Sequence, residues 1–202
     1  MINTCSSFFL SRTIHHVQLL SIIATLIILV SLLSTRSLYA ETMPENTMRI
    51  ALPSISIIID DIGDSHRLGL RAAKLPKEVA LSILPHTPFS RAIANFAHSR
   101  GMDIMLHQPM ESKANVRLLG PGALLQKMDR QQFSRILEKN INAVPYVIGI
   151  NNHMGSLLTQ KSAPMSWTMQ FLKDHDLFFL DSRTSKYSQA EYIAQQLARR
   201  EL

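Results

Sequence analysis

Five short apolar runs, each followed by polar or metal-capable side chains and separated by helix-compatible stretches, constrain this 202-residue chain more than any other feature. The runs are Ser54 to Ile59, Val79 to Leu84, Asp103 to His107, Tyr146 to Ile150 and Leu177 to Leu180. Between them, Ser65 to Leu75 reads as a helix closed by Pro76, and Thr87-Pro88 opens a helix that ends at Gly101. Asp129 caps a helix to about Ala143, Pro164 opens another, and Ser188 to Arg200 is amphipathic. Such regular alternation predicts parallel βαβ units joined by right-handed crossovers, in an open sheet or a barrel. The length leaves room for one substantial domain with an appendage, and a hydrophobic content of 46% excludes a disordered chain.

The first run stops abruptly at Ile57-Ile58-Ile59-Asp60-Asp61-Ile62-Gly63. Three isoleucines favour a strand buried on both faces, whereas adjacent carboxylates stay buried only when paired, hydrogen-bonded or bound to a cation. An Asp-rich turn leading to a helix capped by Asp64 or Ser65 is the plain alternative. The other runs end on Pro85-His86, on His107-Gln108-Pro109-Met110-Glu111, on Asn151-Asn152-His153 and on Asp181-Ser182-Arg183. In a parallel arrangement these ends converge on one rim, where α/β folds gather their catalytic groups. Asp, His and Glu are the donors that zinc and similar divalent ions use when one coordination position stays open. Asp61, His107 and His153, from three different strands, are therefore candidate ligands; Glu111, four residues after His107, joins or replaces one of them. Asp60 is left to act as a base, because a turn directly after the strand can bring both carboxylates to the rim. His86, beside a proline, reads more simply as a surface or capping group.

The N-terminus carries the appendage. Leu19 to Leu33 is almost unbroken Leu, Ile, Val and Ala, and no charged residue lies between Arg12 and Arg36. Residues 1–40 are expected to be a signal peptide ending at Ser37-Leu38-Tyr39-Ala40, or an uncleaved membrane anchor, and 41–49 a linker to a domain over 50–202. The domain is thus expected to be exported, periplasmic or extracellular, touching a membrane only through this segment. The only cysteine, Cys5, precedes the apolar run, so no disulfide is expected in the domain. All 15 Asp and Glu and all but two of the 21 Lys and Arg follow Ala40. The positive charges are dispersed along helices and aromatic residues are few, which argues against a nucleic-acid partner.

Taken together, Ile-Asp-Asp-x-Gly, Leu-His-Gln-Pro-Met-Glu, Gly149 to Ser156 (Gly-Ile-Asn-Asn-His-Met-Gly-Ser) and Phe179 to Ser182 (Phe-Leu-Asp-Ser) resemble the divergent polysaccharide deacetylases, a remote branch of the NodB-like carbohydrate esterases. The resemblance covers about residues 50 to 190. It implies a distorted (β/α) barrel, an exported location and metal-dependent removal of acetyl groups from the amino sugars of an acetylated polysaccharide or peptidoglycan fragment. In the wider superfamily the first Asp is the general base and the second a metal ligand, which carries over to Asp60 and Asp61. The usual second motif has two histidines four apart; His107 matches the first and Glu111 stands where the second would be. Asn151, Asn152, Asp181 and Arg183 are expected to orient substrate or to support the ligands. Family members continue past the fifth strand to an Ile-Gly-His-Pro strand whose His resembles a general acid, and this chain stops at Leu202. The expectation is a barrel incomplete at its C-terminus, with a weakened fold and low activity. An exported glycan-binding or scaffold protein without turnover is the competing reading. A metal phosphohydrolase is disfavoured by the absence of a phosphate-cradling glycine loop.

Overall fold

The computed structural model describes residues 54–114 and 116–199. The expected signal or anchor segment and the linker lie outside the described residues. Among the described residues, no helix is long and apolar enough to cross a membrane.

Five strands, β1 (Ile57–Ile62), β2 (Val79–Ile83), β3 (Ile104–Met110), β4 (Val147–Met154) and β5 (Phe178–Leu180), form one parallel sheet in chain order. They alternate with α1 (His66–Ala72), α2 (Ser90–Ser99), α3 (Arg130–Ala143), α4 (Ser162–Asp174) and, after β5, α5 (Ala190–Arg199). Right-handed crossovers along an order that never reverses deliver successive helices to one face, the winding of a (β/α) barrel rather than of a doubly wound sheet. Among the described residues β1 and β5 each pair with a single strand, so the barrel is open between them.

Local chemistry explains most element boundaries. Ser65 caps α1 by accepting from the Leu68 N–H, and Asp129 with Gln132 forms a reciprocal capping box at the start of α3. Pro164 falls in the first turn of α4, where its missing N–H has no intrahelical partner to lose. Several expectations shift, among them the ends of β1 and β4, which run on through Asp60-Asp61 to Ile62 and through Asn151-Asn152-His153 to Met154. The helix expected from Pro88 begins at Ser90, because the Ser90 hydroxyl accepts from the Thr87 N–H and donates to the Leu84 carbonyl, holding Thr87-Pro88 in a turn. Strand β3 runs through Pro109 to Met110, since its pairing with β2 ends at Leu106 and beyond it the proline needs no N–H: its carbonyl accepts from the Leu124 N–H while β4 pairs on the other side. Strand β1 is not buried on both faces: it is an edge strand, and Ile57 is 54% exposed.

The core lies between the sheet and its helices. Leu81 and Ile83 of β2, Leu106 of β3 and Ile150 of β4 pack with Ile93, Ala97, Phe133, Leu137 and Met165 from the helices, all fully buried. Each large aliphatic or aromatic side chain removed from water in this way contributes roughly 1.5–3 kcal/mol. The Phe133 and Trp167 rings meet edge to face at a centroid distance of 5.6 Å and join α3 to α4. This layer holds the carboxyl ends of β1, β3 and β4 in fixed register.

Candidate metal centre

The register dictates which side chains meet. His107 pairs with Asn151, and Pro109 pairs with His153. Strand side chains alternate with a period of two, so His107, Asn151 and His153 share one face at the rim. On the other side of β3, Ser82 of β2 points to the same face, and its hydroxyl donates to Asn151 Oδ1.

Asp60 and Asp61 reach this face through a bulge. Ile59 pairs with Leu81 and Ile62 with Ile83, so three steps along β1 oppose two along β2. The extra residue is absorbed at Asp61, whose φ is 58°, in the left-handed region. Both carboxylates therefore turn toward one imidazole instead of pointing to opposite faces. Asp61 Oδ1 lies 3.1 Å from His107 Nε2 and 2.9 Å from His153 Nδ1, and the two imidazole nitrogens are 3.2 Å apart. Asp60 Oδ1 approaches His107 from its other side, 3.8 Å from Nδ1, and accepts a 2.8 Å hydrogen bond from Asn151 Nδ2.

Three potential donor atoms thus form a nearly equilateral triangle. Ligands 2.0–2.1 Å from a tetrahedral zinc ion are separated by about 3.3 Å, so Asp61, His107 and His153 fit a divalent cation and leave a fourth position for another ligand. Burial lowers the pKa of His107 below the ordinary histidine value. The nearby His153 adds to that lowering, while the Asn151 hydrogen bond and the charges of Asp60 and Asp61 oppose it. A neutral imidazole is the form that binds a metal. The carboxylates remain accessible, with side-chain exposures of 43% for Asp60 and 65% for Asp61.

The other predicted site residues have different surroundings. Glu111 is outside the triangle: its Oε2 accepts from the Gln126 N–H and its backbone pairs with Leu124, which fastens the loop after β3. Buried Asn152 accepts from the Ser182 N–H and donates to the Met154 carbonyl, tying the end of β4 to the segment after β5. Asp181 Oδ1 accepts from the Arg183 N–H, and the Arg183 guanidinium lies 3.6 Å from Glu191. His86 bonds Asn140, which donates in turn to Gln108 and to the Gly122 carbonyl. Sequence reasoning missed Ser82 and Asn140, both fully buried. The available signal for Ser82 was a lone hydroxyl in the apolar run Val79-Ala80-Leu81-Ser82-Ile83.

The chain as a whole matches known proteins. Residues 57–201 match the model of the divergent polysaccharide deacetylases. The chain is 35% identical over 141 residues to the uncharacterized protein YibQ of Escherichia coli (strain K12), covering 70% of this chain and 44% of that protein. It is 36% identical over 152 residues to an uncharacterized protein of Haemophilus influenzae, covering 75% of this chain and 54% of that one. The chain spans about half the length of these curated relatives. The crystal structure of the uncharacterized protein ATU2773 from Agrobacterium tumefaciens C58 shares the fold, with a TM-score of 0.67 at 22% identity over 71% of this chain and 59% of that one. The extent of the family match, 57–201, takes in all five strands and every residue of the rim cluster, and the chain belongs to the divergent polysaccharide deacetylase family.

Proposed function

We propose that this domain is a metal-dependent hydrolase that removes N-acetyl groups from an envelope or extracellular polysaccharide, with zinc as the preferred ion. The observation that carries the reading is the Asp61, His107 and His153 triangle with a second carboxylate, Asp60, held beside it. Asp61, His107 and His153 would hold the ion, which when bound supplies Lewis acidity for an acetamide carbonyl and acidifies water. Asp60 accepts the proton of the attacking water: Asn151 fixes one of its oxygens, and its exposure lets solvent and substrate reach it. His107 stays neutral through burial and keeps a lone pair for the ion. The apolar Leu19 to Leu33 run supports an exported location, where such a polysaccharide would be met.

Acetate release from acetylated chitooligosaccharides and peptidoglycan fragments tests the assignment, with zinc affinity measured in parallel. Asp60→Asn is expected to lower release by about 10²- to 10⁴-fold, the usual worth of a positioned general base, with zinc affinity unchanged. Zinc-dependent glycan binding without acetate release would refute turnover and favour the binding-protein reading.

A further inference from the structure

Among the described residues, Asn151 is the only amide that touches both halves of the rim cluster, and its orientation follows from chemistry. The ionised carboxylate of Asp60 only accepts hydrogen bonds, so the Asn151 group facing it at 2.8 Å is the NH₂. Its carbonyl oxygen then faces His107 Nδ1 at 2.7 Å and the Ser82 hydroxyl. A carbonyl oxygen has no proton to give, so His107 donates from Nδ1 and its neutral ring carries the lone pair on Nε2. That nitrogen is the one directed at Asp61 and His153.

The opposite tautomer has a competing attraction. Asp61 Oδ1, 3.1 Å from Nε2, would accept a proton held there, whereas Asp60 Oδ1 is 3.8 Å from Nδ1, beyond hydrogen-bond reach. Without Asn151 the proton would move to Nε2 and cover the donor atom of the triangle. Asn151 is almost fully buried and Ser82 entirely so, which keeps water from replacing either bond.

We propose that Asn151, braced by Ser82, is a positioning residue that sets the His107 tautomer for metal ligation and, through the other end of the same amide, fixes the Asp60 carboxylate. The proposal rests on the metal-centre reading above for its function, and on the metal-free geometry alone for the tautomer. Metal ligands commonly depend on such outer partners, whose loss costs about 10- to 100-fold in metal affinity.

Long-range ¹H–¹⁵N spectra of histidine-labelled, metal-free protein read the tautomer directly, and zinc titration reads the affinity. The wild-type chain is expected to show protonated Nδ1 and bare Nε2 at His107. Asn151→Leu should move the proton toward Nε2 and weaken zinc binding by about 10- to 100-fold. Asn151→Asp keeps an acceptor for Nδ1 but sets a second carboxylate against Asp60, so that the pair shares one proton; the tautomer should survive while acetate release falls, because Asp60 is no longer free to take a proton from water. Ser82→Ala should weaken zinc binding by a smaller factor, about threefold, because one of two donors to the amide oxygen remains. An unchanged tautomer in Asn151→Leu, or a lost one in Asn151→Asp, would overturn the proposal. A wild-type chain with the expected tautomer but no zinc affinity would instead refute the metal centre.

Discussion

Replacing Asp61 by glycine separates the metal site from the fold that carries it. Asp61 has φ 58°, and a non-glycine residue held there costs about 1 kcal/mol, which glycine recovers. The substitution also removes the carboxylate that lies 2.9 Å from His153 Nδ1. With that side chain 65% exposed, the lost bond is worth about 0.5–1 kcal/mol. The two effects nearly cancel, so the metal-free melting midpoint should move by less than about 3 °C. Zinc at a hundred times its dissociation constant stabilises a native-state binder by about 2.7 kcal/mol, or roughly 5–10 °C for a domain of this size. Wild type should show that rise and Asp61→Gly should not. Circular-dichroism melts in chelator and in graded zinc provide the assay. An equal zinc-induced rise in Asp61→Gly would remove Asp61 from the ligand set. A metal-free midpoint lowered by 10 °C or more would show that the left-handed backbone at the bulge stores no strain that glycine relieves.

Three further outcomes follow from the same geometry. Gly122→Ala should destabilise the chain by about 2–4 kcal/mol in urea titrations, because φ is +77° and an added Cβ would stand 2.3 Å from Oδ1 of buried Asn140. Asn152→Ala should cost about 1–3 kcal/mol by orphaning the Ser182 N–H, while the Met154 carbonyl keeps the Thr184 hydroxyl as a donor, and should leave zinc affinity within twofold, in contrast to Asn151. Because the His107 pKa is lowered on folding, the unfolded chain binds more protons once the pH falls below the ordinary value of 6.5. Metal-free stability should therefore fall as the pH drops below that value, by at most about 1.4 kcal/mol per pH unit for this one group, and level off above it. Urea midpoints in chelator should show this slope, and His107→Leu should remove it.

The rim was legible because its signal is local. An apolar run that ends on Asp-Asp, His-Gln-Pro or Asn-Asn-His announces a strand leaving the core, and alternation with helices implies that such ends lie together. The choice between His153 and Glu111 was not legible. Glu111 is close to His107 in sequence, but the Gln126 N–H binds its carboxylate, whereas the pairing of Pro109 with His153 sets the distant imidazole on the same face. Ser82 escaped notice because its partner, Asn151, lies 69 residues away. Buried polar groups declare their purpose only when their hydrogen-bond partners are known.

The sequence by itself determined the βαβ order, the helix cap at Asp129, and the kinds of donor atom available at each strand end, since these depend on neighbouring residues and on period. Tertiary structure decided which donors converge. The bulge that turns Asp60 and Asp61 toward one imidazole arises only where β1 registers against β2, and the Asn151 amide acquires its orientation only between Ser82, His107 and Asp60. Strand register is a property of two chain segments at once, so the Asp-Asp pair could suggest a metal rim but not which histidines would share it.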